Sequence, residues 1–179
     1  MKYKVFAGAF LNYFYNNFLT HVPAHFIRRG FLRLFNKKIS PNSVILMHTR
    51  LLNFWKVEIG ERVVINQYCL LDCRRHTIRI HHDTDIGPYT KIWTLGHQPN
   101  SDDHELYGGD VTIGHHVWIA SSVTVLPNIM IADGTVLAAG CVLHKNTSEK
   151  DIVAGNPGFV IKKRQNSLTY KLQYVPYFE

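Results

Sequence analysis

Apolar residues recur through the middle of this chain at a spacing of six. Ile59, Ile65 and Leu71 keep it, and Ile80, Ile86 and Ile92 resume it after an offset. Ile113, Ile119, Val125, Ile131, Leu137 and Leu143 follow after a longer break. Four places after these anchors stand Val63, Cys69, Thr84, Thr90, Val117, Val123, Ile129, Thr135, Cys141 and Thr147, mostly small or β-branched, with Arg75 and Gly96 as exceptions. One place after them, Gly60, Gly87, Gly114, Ala120, Ala132 and Ala138 are small. A helix needs a period near 3.6 and a lone strand needs alternation, so neither explains the pattern. A short strand followed by a tight turn does, with the anchor pointing into a narrow core and glycine relieving the turn. Three such strands close one coil, and stacked coils pair their strands in parallel. The prediction is an all-β parallel β-helix over residues 38–161. The period leaves its hand open.

Between Ile92 and Ile113 the period is interrupted by GHQPNSDDHELYGGD, a polar stretch dense in histidine and acid. An insertion in a regular solenoid projects outward, and such loops usually build sites; this one is expected over residues 97–110. Upstream, residues 1–37 form a separate segment. Its first apolar stretch, Val5–Leu19, is too short to span a bilayer and carries Asn12, Asn16 and Asn17. Its second, Ala24–Phe35, sets Phe26, Ile27, Phe31, Leu34 and Phe35 against Arg28, Arg29 and Arg33, as an amphipathic helix does. Two readings stand: a helix capping the open end of the coil, or a peripheral membrane contact. Residues 162–179 form a C-terminal tail.

Charge sharpens the second reading. The chain carries a net +7, yet no Asp or Glu precedes Glu58. A basic first third suggests an anionic partner such as headgroups or a phosphorylated substrate. No nucleic-acid recognition motif is present, so nucleic acid is not an expected partner. The three cysteines, Cys69, Cys73 and Cys141, lack metal spacing and read as free thiols of a reducing, cytoplasmic compartment. A lipid-linked partner would hold the chain at the inner face of the membrane.

The stretches IGERVVINQYCLLDCR, IGPYTKIWTLGH, VTIGHHVWIASSVTVLPNIMIADGTVLAAGCVLHK and DIVAGNPGFVIKKR resemble the hexapeptide-repeat O-acetyltransferases. The likeness is nearest to the exopolysaccharide, colanic-acid-type members and more distant to galactoside and maltose acetyltransferases. The resemblance implies the left-handed form of the β-helix, a homotrimer, acetyl-CoA bound between neighbouring prisms, and a sugar acceptor. It implies no metal.

His97 matches the family's catalytic histidine. An alcohol is almost wholly protonated near neutrality, and an imidazole can take its proton and return it to a departing thiolate. His104 echoes a histidine that follows the catalytic one in the galactoside branch. Asn66, Asp72 and Arg74 match a polysaccharide-branch pattern that would line the acceptor side, with hydrogen bonding at a coil corner as the equal alternative. On the cofactor side the resemblance implies Trp118, Ser121, Ala139, Lys145, Pro157 and Lys162, with Lys163 and Arg164 as further cations. His144, Phe159 and the His115–His116 pair depart from the family pattern. Eleven histidines also invite a metal-dependent β-helix enzyme of the γ-carbonic-anhydrase type, for which His76, His81, His82, His115 and His116 are the candidates. A non-catalytic trimeric scaffold for CoA or glycans is the remaining rival.

Overall fold

The computed structural model describes residues 2–178. From Ile39 onward the chain winds as a left-handed parallel β-helix of triangular section. Its first face stacks Val57–Ile59, Ile78–Ile80, Val111–Ile113 and Met130–Ile131, with Ile39 bridging to Ile59. The second face stacks Val44–Ile45, Val64–Ile65, Asp85–Ile86, Trp118–Ile119, Val136–Leu137 and Asp151–Ala154. The third stacks Arg50–Leu52, Leu70–Asp72, Lys91–Trp93, Thr124–Val125 and Val142–Leu143. A final strand, Phe159–Lys163, turns back antiparallel to Asp151–Ala154. Every six-spaced anchor points into the core and is buried. Three free, buried cysteines share that interior, as their size predicts.

The corners correct one expectation. The backbone enters the left-handed region three places after the anchor, at Arg62, Tyr68, Asp83, Tyr89, His116, Ser122 and Asn128 before Gly134 and Gly140. An L-residue there costs roughly 1–2 kcal/mol, so something must offset it. Side chains at equivalent corners meet across coils: the Tyr68 and Tyr89 rings stack with centroids 5.1 Å apart, and Arg62 pairs with Asp83. The glycines one place after the anchor serve packing instead. A Cβ on Gly87 would sit 2.7 Å from the Ala120 carbonyl carbon of the next coil.

Two helices, α1 (Lys2–Asn17) and α2 (His25–Phe35), cover the first coil. An open β-helix end is an unpaired sheet edge and needs polar partners. Asn12 and Asn16 lie one helical turn apart and face that edge together. The Asn16 amide donates to the Leu51 carbonyl at 2.9 Å and accepts from the Leu51 N–H at 2.9 Å. Asn12 accepts from the Asn53 N–H at 3.0 Å. Arg33 donates to the Ile39 carbonyl, Arg29 to that of Ser43 and Arg28 to that of Ile45. The cap reading accounts for these arginines. Arg28 is buried, while Arg29 and Arg33 stay half-exposed at the rim of the cap.

The tail runs back down the prism. Arg164 donates to the His116 carbonyl at 2.8 Å, Tyr170 to the same oxygen at 3.1 Å, and the Leu172 N–H to Asp83 at 2.9 Å. Leu172 then packs on Val44, Leu46 and Val64 near the cap.

Candidate active site

The insertion leaves the third face after Trp93 and is a hairpin, with Leu95–His97 antiparallel to Leu106–Gly108. Its roots are tied to the coil. Thr94 donates to the Asp72 carbonyl at 2.6 Å, while Asp110 accepts from the Thr77 N–H at 2.9 Å and from Arg79 at 2.8 Å. Those bonds hold the Asp110 carboxyl below its ordinary value, the Thr77 N–H most of all. Gly108 is required because a Cβ would collide with the Thr94 carbonyl.

His97 is exposed at the end of the first hairpin strand. Its Nδ1 lies 2.9 Å from the His104 carbonyl oxygen, and its ring stacks on the His104 ring with centroids 3.6 Å apart. A carbonyl can only accept, so Nδ1 carries the hydrogen and Nε2 keeps a lone pair. His104 stands in a left-handed turn that aims its carbonyl at His97, closed by its N–H donating to Ser101. Asp102, Asp103 and Glu105 share the hairpin, and no hydrogen bond joins any of them to the His97 ring among the described residues.

The other candidates are distributed around the prism. Asp72 is buried and takes both arms of Arg74 at 2.9 Å, together with the Arg74 N–H. That pair is the corner hydrogen bonding named as the alternative to acceptor contact. Asn66 donates to Asp85 at 3.0 Å and to the Ile86 carbonyl at 2.9 Å. On the second face Trp118 is 49% exposed, which leaves its side chain open to a ligand. Ser121 and Ala139 occupy equivalent exposed positions at the corner that follows. Lys145 borders a small cavity with Phe159 and Gly158 beyond the last coil, Pro157 is in the turn before the antiparallel strand, and Lys162 is exposed on that strand. Lys163 is engaged by Asp151 at 2.7 Å, and Arg164 by the backbone, so neither is the open cation that the sequence suggested.

The histidines at the corner between the first and second faces form a separate cluster. The His82 and His115 rings lie 3.9 Å apart, and His82, Asp83 and His116 could converge on a cation. The donor set does not fit one. Arg62 holds both Asp83 oxygens at 2.8 Å, with Leu172 N–H and His82 as further partners, so a cation there would meet a guanidinium. Arg62 above all holds the Asp83 carboxyl well below its usual range. Burial, aided by neighbouring histidines, keeps His115 and His116 below theirs. Sequence spacing could have flagged this corner, because Arg62, Asp83 and His116 share one repeat position.

Residues 110–145 match the family described as bacterial transferase hexapeptide, six repeats. WcaF of Escherichia coli K12, named as a colanic acid biosynthesis acetyltransferase, is 30% identical over 141 residues, covering 76% of this chain and 75% of its own. The chain belongs to the hexapeptide-repeat acetyltransferases. Among solved members of similar shape, a maltose O-acetyltransferase from Clostridium difficile 630 is 26% identical, with a TM-score of 0.78 over 89% of this chain and 86% of that one. A galactoside acetyltransferase in complex with coenzyme A gives a TM-score of 0.79 at 22% identity, over 97% and 87%. This acetyltransferase therefore keeps the family's coil, and the second of these likenesses extends over nearly the whole chain.

Proposed function

We propose that the protein transfers the acetyl group of acetyl-CoA to a hydroxyl of a sugar, on a polysaccharide or a lipid-linked glycan precursor. The observation that carries this reading is the His97 ring, exposed on a tied hairpin with its Nδ1 hydrogen committed to a carbonyl. Nε2 takes the proton of the acceptor hydroxyl as its oxygen attacks the thioester carbonyl. The C–S bond then breaks, and the imidazolium gives the proton to the departing thiolate, yielding the ester and CoA. No acyl-enzyme is needed when both substrates are bound together.

For the donor, the exposed Trp118 indole offers a face to the thioester end. Ser121 and Ala139 present a corner with little side-chain bulk, and Lys145 and Lys162 supply exposed cations for phosphates, with Pro157 shaping the nearby turn. His104 positions the base, and Asn66 faces the acceptor. The structural bonding of Asp72 and Arg74 makes them supports of that wall.

His97 leaves the corner after the third face, whereas Trp118 and Ser121 belong to the second face and the corner that follows it. One chain does not bring these into a single cleft, and a homotrimer of side-by-side prisms would. Among the described residues, no helix is long and apolar enough to cross a membrane. A cytoplasmic enzyme at the inner membrane face suits the cap, whose outer side exposes Phe6, Phe10, Phe26 and Leu34 in a segment without acid.

The direct test is release of free CoA from acetyl-CoA in the presence of mono-, oligo- and lipid-linked saccharides, with acetyl ester located by mass spectrometry. Ester on a sugar hydroxyl is the expected result. Acetyl transfer only to amines, or to no saccharide, would overturn the reading.

A further inference from the structure

The outward side chains of the second face stand in one register: Val44, Val64, Asp85, Trp118, Val136 and Ile152. Five of the six are apolar. Val44, Val64 and Val136 are nearly buried, so Asp85 is a carboxylate set in an apolar column. Such a placement costs desolvation unless the oxygens find donors. Burial accordingly raises the Asp85 carboxyl above its ordinary value, and only the Asn66 amide works against that.

Asp83, two residues earlier, shows what a structural carboxylate looks like in this protein. It receives both arms of Arg62, the Leu172 N–H and His82. Asp85 receives one side-chain donor, the Asn66 amide at 3.0 Å, and pairs with no cation among the described residues. An ionised carboxylate offers about four acceptor sites, which leaves most of this one open. Directly beside it in register stands the exposed Trp118 ring.

We infer that Asp85, with Asn66 and the Trp118 ring, forms an acceptor subsite that takes adjacent hydroxyls of a sugar. The inference rests on the sugar reading above and deepens it. Adjacent hydroxyls donate to the open Asp85 oxygens, Asn66 holds the carboxylate in place, and the C–H face of the sugar lies on the indole. The coil order agrees. Trp118 is assigned to the thioester end of the donor, and Asp85 and Asn66 follow on the next two coils toward the cap, where an acceptor meeting that thioester would lie.

The test uses the full chain, with methyl glycosides as the sugar probe and CoA as the donor probe. Saturation-transfer NMR and transfer kinetics read the first, and calorimetry reads the second. Asp85→Ala is expected to raise the glycoside Kd or KM roughly 10- to 100-fold, the worth of hydrogen bonds to a charged group, with CoA affinity and melting temperature unchanged. Asp85→Asn, which keeps one acceptor oxygen, is expected to fall between. Unchanged glycoside affinity in Asp85→Ala overturns the subsite, as does a parallel loss of CoA affinity, which would assign Asp85 to the donor arm. If the wild-type protein binds CoA but no glycoside, the sugar reading itself fails and the subsite with it.

Discussion

The His97 Nδ1–H donates to the His104 backbone carbonyl at 2.9 Å while the two imidazole rings stack. Orientation by a carbonyl differs from orientation by a carboxylate, because the partner has no charge to lose. Three acids share the hairpin without touching the ring, so removing their charge should leave the base in place. His97→Ala is expected to lower turnover by about 10²- to 10⁴-fold with CoA affinity intact. Asp102→Asn, Asp103→Asn and Glu105→Gln should stay near the wild-type rate in the same assay. A large loss in one of these three would identify a charged partner for His97.

The separation of His97 from Trp118 on different parts of the prism predicts a site built between copies. Light scattering at micromolar concentration should give three chains per particle. A stable, active monomer would require both substrates to bind on one prism and would remove the proposed cleft.

The cap bonds directly to the first coil, and its loss would leave Leu51 and Phe54 beneath an open edge. A chain beginning at Lys38 is therefore expected to aggregate or to melt well below the intact protein. The outer side of the cap can be tested separately. Phe6→Ser with Phe26→Ser should keep the melting temperature, because both rings are exposed, and should abolish co-sedimentation with anionic vesicles. Vesicle binding unaffected by these changes would leave the membrane no role at this surface.

His25 makes the cap sensitive to acid. Burial, with Arg29 and then Arg28 adding repulsion, lowers its value from 6.5 to about 4, and its Nε2 accepts from the Ile45 N–H at 3.2 Å. Below 6.5 the unfolded chain takes up a proton that the folded chain refuses. The stabilisation is thus complete above 6.5 and is lost as pH falls toward 4. Melting curves should show a decline across that window that is shallower in His25→Gln, which keeps an acceptor without titrating. His48, His115 and His116, also lowered, add to the slope, and the lowered carboxyls of Asp83, Asp110 and Asp151 add to its acid end. An equal slope in both proteins would clear His25 of the effect.

The sequence alone determined the coil, because every repeat must return one apolar side chain to the same narrow core, and that demand is written at a fixed spacing. It also marked the hairpin as the place where the period fails, with His97 at its start. The rest rested on contacts between residues far apart in the chain. Asn12 and Asn16 read as interruptions of an apolar stretch until Leu51 and Asn53 gave them a sheet edge to satisfy. Asp83 and Asp85 are equivalent in composition, two residues apart, and opposite in circumstance. Leu172, 89 positions away, and Arg62 complete the first, while only Asn66 reaches the second. A carboxylate's role depends on how many donors the folded chain delivers to it, and local sequence does not encode that number. The tertiary structure decided it, because stacking the coils and laying the tail along one corner is what brings those donors within reach.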